Sequence, residues 1–400
     1  MRFVHAADIH LDSPLTGLDR YEGAPVDEFR SATRGALQNL VKLCIEEGAK
    51  LLLIAGDLYD GGWPDYNTGL FFAKQMAKLR DAGVRVAVIA GNHDAASVIT
   101  RTLPWPENVH VFSTKKPETW ALDDLGVVIH GQGFATRKVT EDLAAAYPDP
   151  VAGVLNIGLL HTALDGRAGH DTYAPTTADA LARKGYAYWA LGHVHAREIV
   201  REDPWVVFPG NLQGRHIRET GAKGAMVVDV KGTKIASVEH RALDVVRWAM
   251  CEVDASPAKT EDDVLGLVEE KLLATSEAAE GRPVAARVHV FGASDAHAAI
   301  RGDVDDFESK TRAIGIRVGD LWVEKVIVRT KPRADAGAGS EAAQLLAKEI
   351  AGLRGSPELA QILERIREKL PAELRQTLDD PAALLDDAEA ILVSKLYEET

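Results

Sequence analysis

Cysteine is almost absent from this chain: Cys44 and Cys251 are the two in 400 residues. Two distant cysteines make neither a disulfide framework nor a thiolate metal site. Any metal must therefore be held by oxygen and imidazole. Cys44 shares a helical face with Leu37, Leu40 and Val41 and reads as core. Long apolar runs are also missing; none approaches the roughly 20 residues that span a bilayer. The opening residues offer a single basic side chain, Arg2, before Asp8 and His10 interrupt the apolar stretch. They do not read as a signal peptide, and a cytoplasmic protein is expected. Positive charge is in deficit, with a formal net charge of −14. That opposes non-specific nucleic-acid binding by the chain as a whole but leaves room for a local basic groove. Residues 341–400 hold 13 acidic and 7 basic side chains, so −6 of the net charge lies in this tail. The tail is a poor surface for DNA.

What is present is an ordinary globular composition, 46% apolar and 26% charged. Four hundred residues exceed one core, so two or three domains are expected. Strands at 2–7, 50–55 and 84–90 alternate with helices at 29–47 and 66–82, a βαβ pattern. From 107 to 252 strands dominate, near 109–112, 126–131, 154–160, 187–191, 205–208, 224–230 and 233–240. Short helical pieces fall near 139–146 and 177–184. The mixture predicts an α/β/β/α sandwich over 1–253. A small α+β capping domain is expected at 254–330, with a helix at 260–275, a strand at 284–291, a helix at 303–313 and a strand pair within 315–329. A Pro/Gly/Ala/Ser linker at 331–340 follows. Amphipathic helices are expected at 341–353, 356–369 and 382–397. Their apolar faces need each other or a partner.

Five apolar runs each end in a metal-type ligand. They end in Asp8 and His10; in Asp57; in Asn92, His93 and Asp94; in His161; and in His193 and His195. A buried strand delivers its last residue to the rim of a sheet, where ligands collect in open α/β folds. Carboxylate, amide oxygen and imidazole are the ligands of hard and borderline divalent metals. Two metals need one bridging carboxylate and a separate set on each side. Asp8 and His10 are two residues apart, as are His193 and His195, so each pair can face one way from an extended strand end. Asp57 is the natural bridge, and Asn92 is a neutral ligand that limits the build-up of charge. Gly56, Gly91 and Gly192 each precede a ligand.

The series DIH (8–10), GDLYD (56–60), GNHD (91–94), a lone histidine at 161 and GHVH (192–195) resembles the calcineurin-like metallophosphoesterases over about residues 1–240. More narrowly, MRFVHAADIHLDSPL and PGNLQGRH (209–216) resemble the SbcD-type DNA repair nucleases, in their YhaO-like branch. The resemblance implies that Asp8, His10, Asp57 and His195 hold one metal, that Asp57, Asn92, His161 and His193 hold the other, and that the metal is manganese. It makes His93 a non-ligand catalytic histidine beside the scissile phosphate. It further implies a capping domain, a homodimer and helices at 341–400 that dock an SMC-like coiled-coil ATPase of the SbcC type.

The expected function is a metal-dependent DNA phosphodiesterase acting in DNA repair, in which a hydroxide activated between two cations attacks the backbone phosphate. A small-molecule phosphodiesterase or phosphatase of the same superfamily is the alternative. Asp94 is expected either to orient His93 or to sit in a structural ion pair, and Asp60 to support a ligand histidine. Arg215, His216 and Arg218 read either as a solvated loop or as phosphate contacts. Trp63 and Tyr66 read as core, a stacking platform or a dimer contact. His5, His110, His130, His170, His240, His289 and His297 are expected to be structural.

Overall fold

In the computed structural model, the described residues are 1–13, 26–60, 66–96, 105–164, 173–333 and 341–369, with scattered positions between 378 and 392. Trp63, His170, most of the linker at 331–340 and most of the expected helix at 382–397 lie outside them, as does the side chain of Tyr66.

The chain divides into two compact units, Met1–Trp248 and Ala249–Thr400. The first begins with strand β1 (Arg2–Ala6), helix α1 (Val26–Glu46), β2 (Leu51–Ile54), α2 (Tyr66–Asp81) and β3 (Arg85–Val88). These strands pair in parallel, as the βαβ reading requires. With β4 (Val109–Val111), β11 (Gly224–Lys231) and β12 (Lys234–Ala242) they form one sheet in the order β12-β11-β1-β2-β3-β4. A second sheet runs β5-β6-β7-β8-β10-β9. Its strands are β5 (Glu118–Leu122), β6 (Val127–Gly131), β7 (Leu155–His161), β8 (Tyr188–Gly192), β9 (Glu198–Glu202) and β10 (Trp205–Phe208).

Alternation along the strands sets the layers. Val4, Ala6, Leu52, Ile54, Val86 and Val88 pack against Leu37, Leu40, Val41 and Cys44 of α1 and Phe72, Met76 and Leu79 of α2. The intervening residues, Phe3, Leu51, Leu53 and Ala87, meet Ile129, Ile157, Leu159, Tyr188 and Ala190 of the second sheet. The outer face of that sheet, Leu160, Trp189, Leu191 and Phe208, is covered by Leu181 of α3 (Ala178–Arg183) together with Tyr147 and Tyr186. The result is the expected α/β/β/α sandwich.

The second unit carries a three-stranded sheet, β13 (Arg247–Asp254), β14 (Val284–Ala293) and β15 (Leu321–Lys331). Val264, Val268 and Leu272 of α4 (Glu261–Glu277), Ile300 of α5 (His297–Gly302) and Phe307 and Ile314 of α6 (Val304–Val318) pack on it. The strand pair expected within 315–329 is instead the end of α6 and one long strand. Gly315 lets α6 press closely on β15, since an added Cβ there would sit 2.8 Å from Val323. Helices α7 (Glu341–Leu353) and α8 (Pro357–Lys369) follow. No described helix is long and apolar enough to cross a membrane.

Candidate metal centre

The rim of the sandwich is built by two segments that leave the first sheet side by side. Beyond β1 and β2 the chain keeps a backbone ladder: the amides of Asp8, His10 and Leu11 donate to the carbonyls of Gly56, Asp57 and Leu58, at 3.0, 3.0 and 2.9 Å. That ladder locks the first two ligand segments to each other. Asp8, His10, Asp57 and His193 all adopt left-handed backbone conformations, with φ of 50°, 46°, 51° and 102°. Such conformations cost about 1–3 kcal/mol each for non-glycine residues and persist where the surroundings over-determine them. Four strained residues among seven expected ligands mark a constrained site rather than ordinary strand ends. The glycines serve close approach: a Cβ on Gly91 would lie 2.3 Å from Asp57 Oδ1, and one on Gly192 would lie 1.9 Å from the Ala55 carbonyl.

All seven expected ligands come together. Ligand atoms of Asp8, His10 and His195 lie within 4.8 Å of one another, and so do those of Asp57, His161 and His193. Asp57 stands between the sets. Its Oδ2 is 3.9 Å from His10 Nε2 on one side and 3.5 Å from His161 Nε2 on the other. Its Oδ1 accepts the His93 amide at 2.9 Å. Asn92 Oδ1 lies 2.9 Å from His161 Nε2 and 3.2 Å from His193 Nδ1. Both Asp8 oxygens accept the His193 amide, at 3.1 and 3.0 Å, which ties the first strand end to the fifth.

The donor set fits divalent cations. His161 Nδ1 is 2.9 Å from the Ala55 carbonyl and must donate to it. Burial holds the His161 pKa down to about 3, so the ring is neutral. Its Nε2 is therefore a lone pair aimed at the oxygens of Asn92 and Asp57. His195 is oriented in the same way: Nδ1 donates to Glu219 at 2.6 Å, and Nε2 lies 3.3 Å from His10 Nε2. Converging lone pairs repel unless a cation lies among them. Burial, reinforced by the charge of Asp57, pushes Asp8 well above the carboxylate range, and burial pushes Asp57 up to about 6. Two buried carboxylates held this close call for positive charge.

His93 stands at the open edge, with 41% of its side chain exposed, and its Nδ1 is 2.6 Å from Asp60 Oδ1. The bond to Asp60 raises the His93 pKa, while the same bond helps hold Asp60 well below the carboxylate range. Asp60 is thus the partner of His93, and it also lies 3.9 Å from the buried His10 Nδ1. Asp94 takes neither expected role. Its carboxylate accepts the amides of Leu58, Tyr59 and Gly91 at 3.1, 2.8 and 3.0 Å, fastening the second ligand loop to the third.

Two contributors went unseen in the sequence. Glu219 is buried, and besides His195 it accepts the Arg215 amide at 2.7 Å and Asn211 Nδ2 at 3.0 Å. Burial raises its pKa, but the bond to His195 and the charge of Arg215 prevail and hold it down to about 2. Ser13 Oγ donates to Asp60 at 2.7 Å. Arg215 lies between the two carboxylates, 3.5 Å from Asp60 and 3.5 Å from Glu219, and is not a freely solvated loop residue. Glu219 closes the segment GNLQGRHIRE; a carboxylate four residues after Arg215 was the available signal. The histidines expected to be structural include His5, bonded to Tyr188 and Leu191 between the sheets, and His130, bonded to Thr119 and Asn156.

The calcineurin-like phosphoesterase family matches residues 1–197, and the metallophosphoesterase YhaO middle domain matches residues 248–331. The chain is 36% identical over 313 residues to the protein described as "Uncharacterized metallophosphoesterase YhaO" of Bacillus subtilis (strain 168), covering 77% of this chain and 76% of that one. It is 29% identical over 211 residues to the DNA double-strand break repair protein Mre11 of Methanopyrus kandleri, covering 49% of this chain and 44% of that protein. Against the Mre11 of Sulfurisphaera tokodaii it is 26% identical over 257 residues, covering 61% and 63%. The protein thus belongs to the YhaO-like branch of the calcineurin-like metallophosphoesterases.

Proposed function

We propose that this protein is a manganese-dependent DNA phosphodiesterase, an exonuclease or endonuclease working in DNA repair. The observation that carries the phosphodiesterase reading is Asp57 Oδ2 set between His10 and His161, with a full set of ligand atoms on either side. Asp8, His10, Asp57 and His195 would hold one cation, and Asp57, Asn92, His161 and His193 would hold the other. When bound, the pair supplies an activated nucleophile near neutral pH and offsets charge on the phosphoryl oxygens. His93 keeps its proton on the strength of its bond to Asp60 and donates it from Nε2 to the departing sugar oxygen. Arg215 keeps Asp60 and Glu219 in place and adds positive charge beside the phosphate path.

DNA as substrate is supported by the names of the two Mre11 relatives, which cover about half to three-fifths of this chain. Imidazole and carboxylate together accept manganese, iron and zinc; manganese is the reading suggested by the family resemblance. The protein is proposed to act in the cytoplasm as a homodimer. Its C-terminal helices dock an SMC-like coiled-coil ATPase. Exposed Leu345 and Leu353 of α7 and Ile362 and Ile366 of α8 support that surface.

The test is cleavage of blunt duplex, hairpin and single-stranded DNA with manganese, beside cyclic AMP and bis-p-nitrophenyl phosphate. The reading expects DNA to be cut and both Asp57→Ala and His93→Ala to lose the activity. Turnover confined to the small phosphodiesters would favour the small-molecule enzyme instead.

A further inference from the structure

We infer that Glu219, which is not itself a ligand, is the positioning residue that fixes His195 as a metal ligand. This rests on the two-cation reading above. Glu219 Oε1 lies 2.6 Å from His195 Nδ1, so Nδ1 donates to the carboxylate and Nε2 is the ring nitrogen that faces Asp8 and His10. A histidine on the opposite tautomer would carry a proton where the cation belongs. The other oxygen, Oε2, is committed to the Arg215 amide and to Asn211 Nδ2. Asn211 is bridged to Ala7, the residue before Asp8. Glu219 is therefore anchored to the strand that carries the first two ligands, and it is 5% exposed. Its carboxylate is bonded on both oxygens, and Oε1 sets the His195 ring. Carboxylate partners of ligand histidines typically control 10–100-fold in metal affinity.

Glutamine at 219 is almost isosteric but has one acceptor oxygen. If that oxygen stays with the Arg215 amide, the NH2 group faces His195 Nδ1 and drives the proton to Nε2. If the oxygen turns to His195, the NH2 group opposes the Arg215 amide. Both arrangements damage the first cation site and touch none of Asp57, Asn92, His161 and His193, which would hold the second.

The experiment is calorimetric titration of the metal-free, full-length protein with manganese chloride, with circular dichroism and metal-free melting as folding controls. Wild type is expected to take two cations. Glu219→Gln should bind one with unchanged affinity and the other 10–100-fold more weakly. Glu219→Asp keeps the carboxylate at shorter reach and should fall between, at the same site; it decides the matter if the Gln variant does not fold. Two unchanged sites in the variants, or equal weakening of both, would overturn the inference while leaving the two-cation reading standing. A wild type that takes up no manganese would overturn the reading and the inference together.

Discussion

His93 Nδ1 and Asp60 Oδ1 lie 2.6 Å apart, so the carboxylate bonded to His93 is Asp60 and not Asp94. The bond raises the His93 pKa, so the proton needed by a leaving oxygen is retained to higher pH. Asp60→Asn removes that support. The alkaline limb of kcat against pH should then move to lower pH, with kcat at pH 8 falling by about 10-fold or more, a part of the roughly 10²–10⁴-fold that general acid catalysis contributes. His93→Ala should cost about 10²–10⁴-fold on DNA but much less on bis-p-nitrophenyl phosphate, whose leaving group needs little protonation. Equal losses on both substrates would remove His93 from the acid role.

Asp57 is asked to serve both cations, so its removal should cost both. Without metal, its buried charge opposes folding. The folded pKa of about 6 lies above the ordinary 3.8, so the folded state binds the extra proton, and that stability is lost as pH rises through 6. Asp57→Asn should therefore melt no lower than wild type in EDTA at pH 7.5, while losing the rise in Tm that manganese gives wild type. A variant that still gains stability from manganese would show that Asp57 is not the shared ligand.

Asp94→Ala should behave as a structural lesion. Three buried amides lose their acceptor, for about 2–4 kcal/mol of stability, read as a lower midpoint in urea. Activity should recover on cooling if the fold alone is affected. Wild-type stability with lost activity would restore the role of orienting His93 that the sequence suggested.

The layers of the sandwich were legible because the buried strands are short apolar runs bounded by turns, and because α1 and α2 repeat their apolar residues at helical spacing. The two edge strands of the second sheet, β5 and β9, were not. In β5 only Leu122 is fully buried, and in β9 no residue is, so neither carries an apolar run. The expected ligands were legible because each ends such a run. Their supports were not: Asp60 and Asp94 follow their ligand loops at similar short intervals, and nothing local says which carboxylate turns toward His93. Glu219 reaches His195 from 24 residues away, a relationship that only the folded rim creates.

His5 offers a check on the sandwich itself. Its ring spans the two sheets, bonded to Tyr188 and the Leu191 carbonyl, and burial holds its pKa down to about 3. The unfolded chain takes up the proton below 6.5 and the folded chain does not, so this residue's contribution to stability is lost as pH falls from 6.5 towards 3. At pH 5 the loss is about 2 kcal/mol. His5→Gln should show a shallower fall in urea midpoint between pH 7.5 and 5. An unchanged slope would mean that His5 is not held neutral between the sheets.

The thiols provide a further one. Cys44 and Cys251 are both buried, and burial pushes the Cys44 thiol up to about 12. Neither should react with Ellman's reagent in the folded protein at pH 8, and both should in guanidinium.

Anomalous diffraction from crystals grown with manganese tests the central claim most directly. The account predicts two peaks about 3.5–4 Å apart, with Asp57 between them, Asp8, His10 and His195 around one, and Asn92, His161 and His193 around the other. A single peak, or none within reach of Asp57, would contradict it.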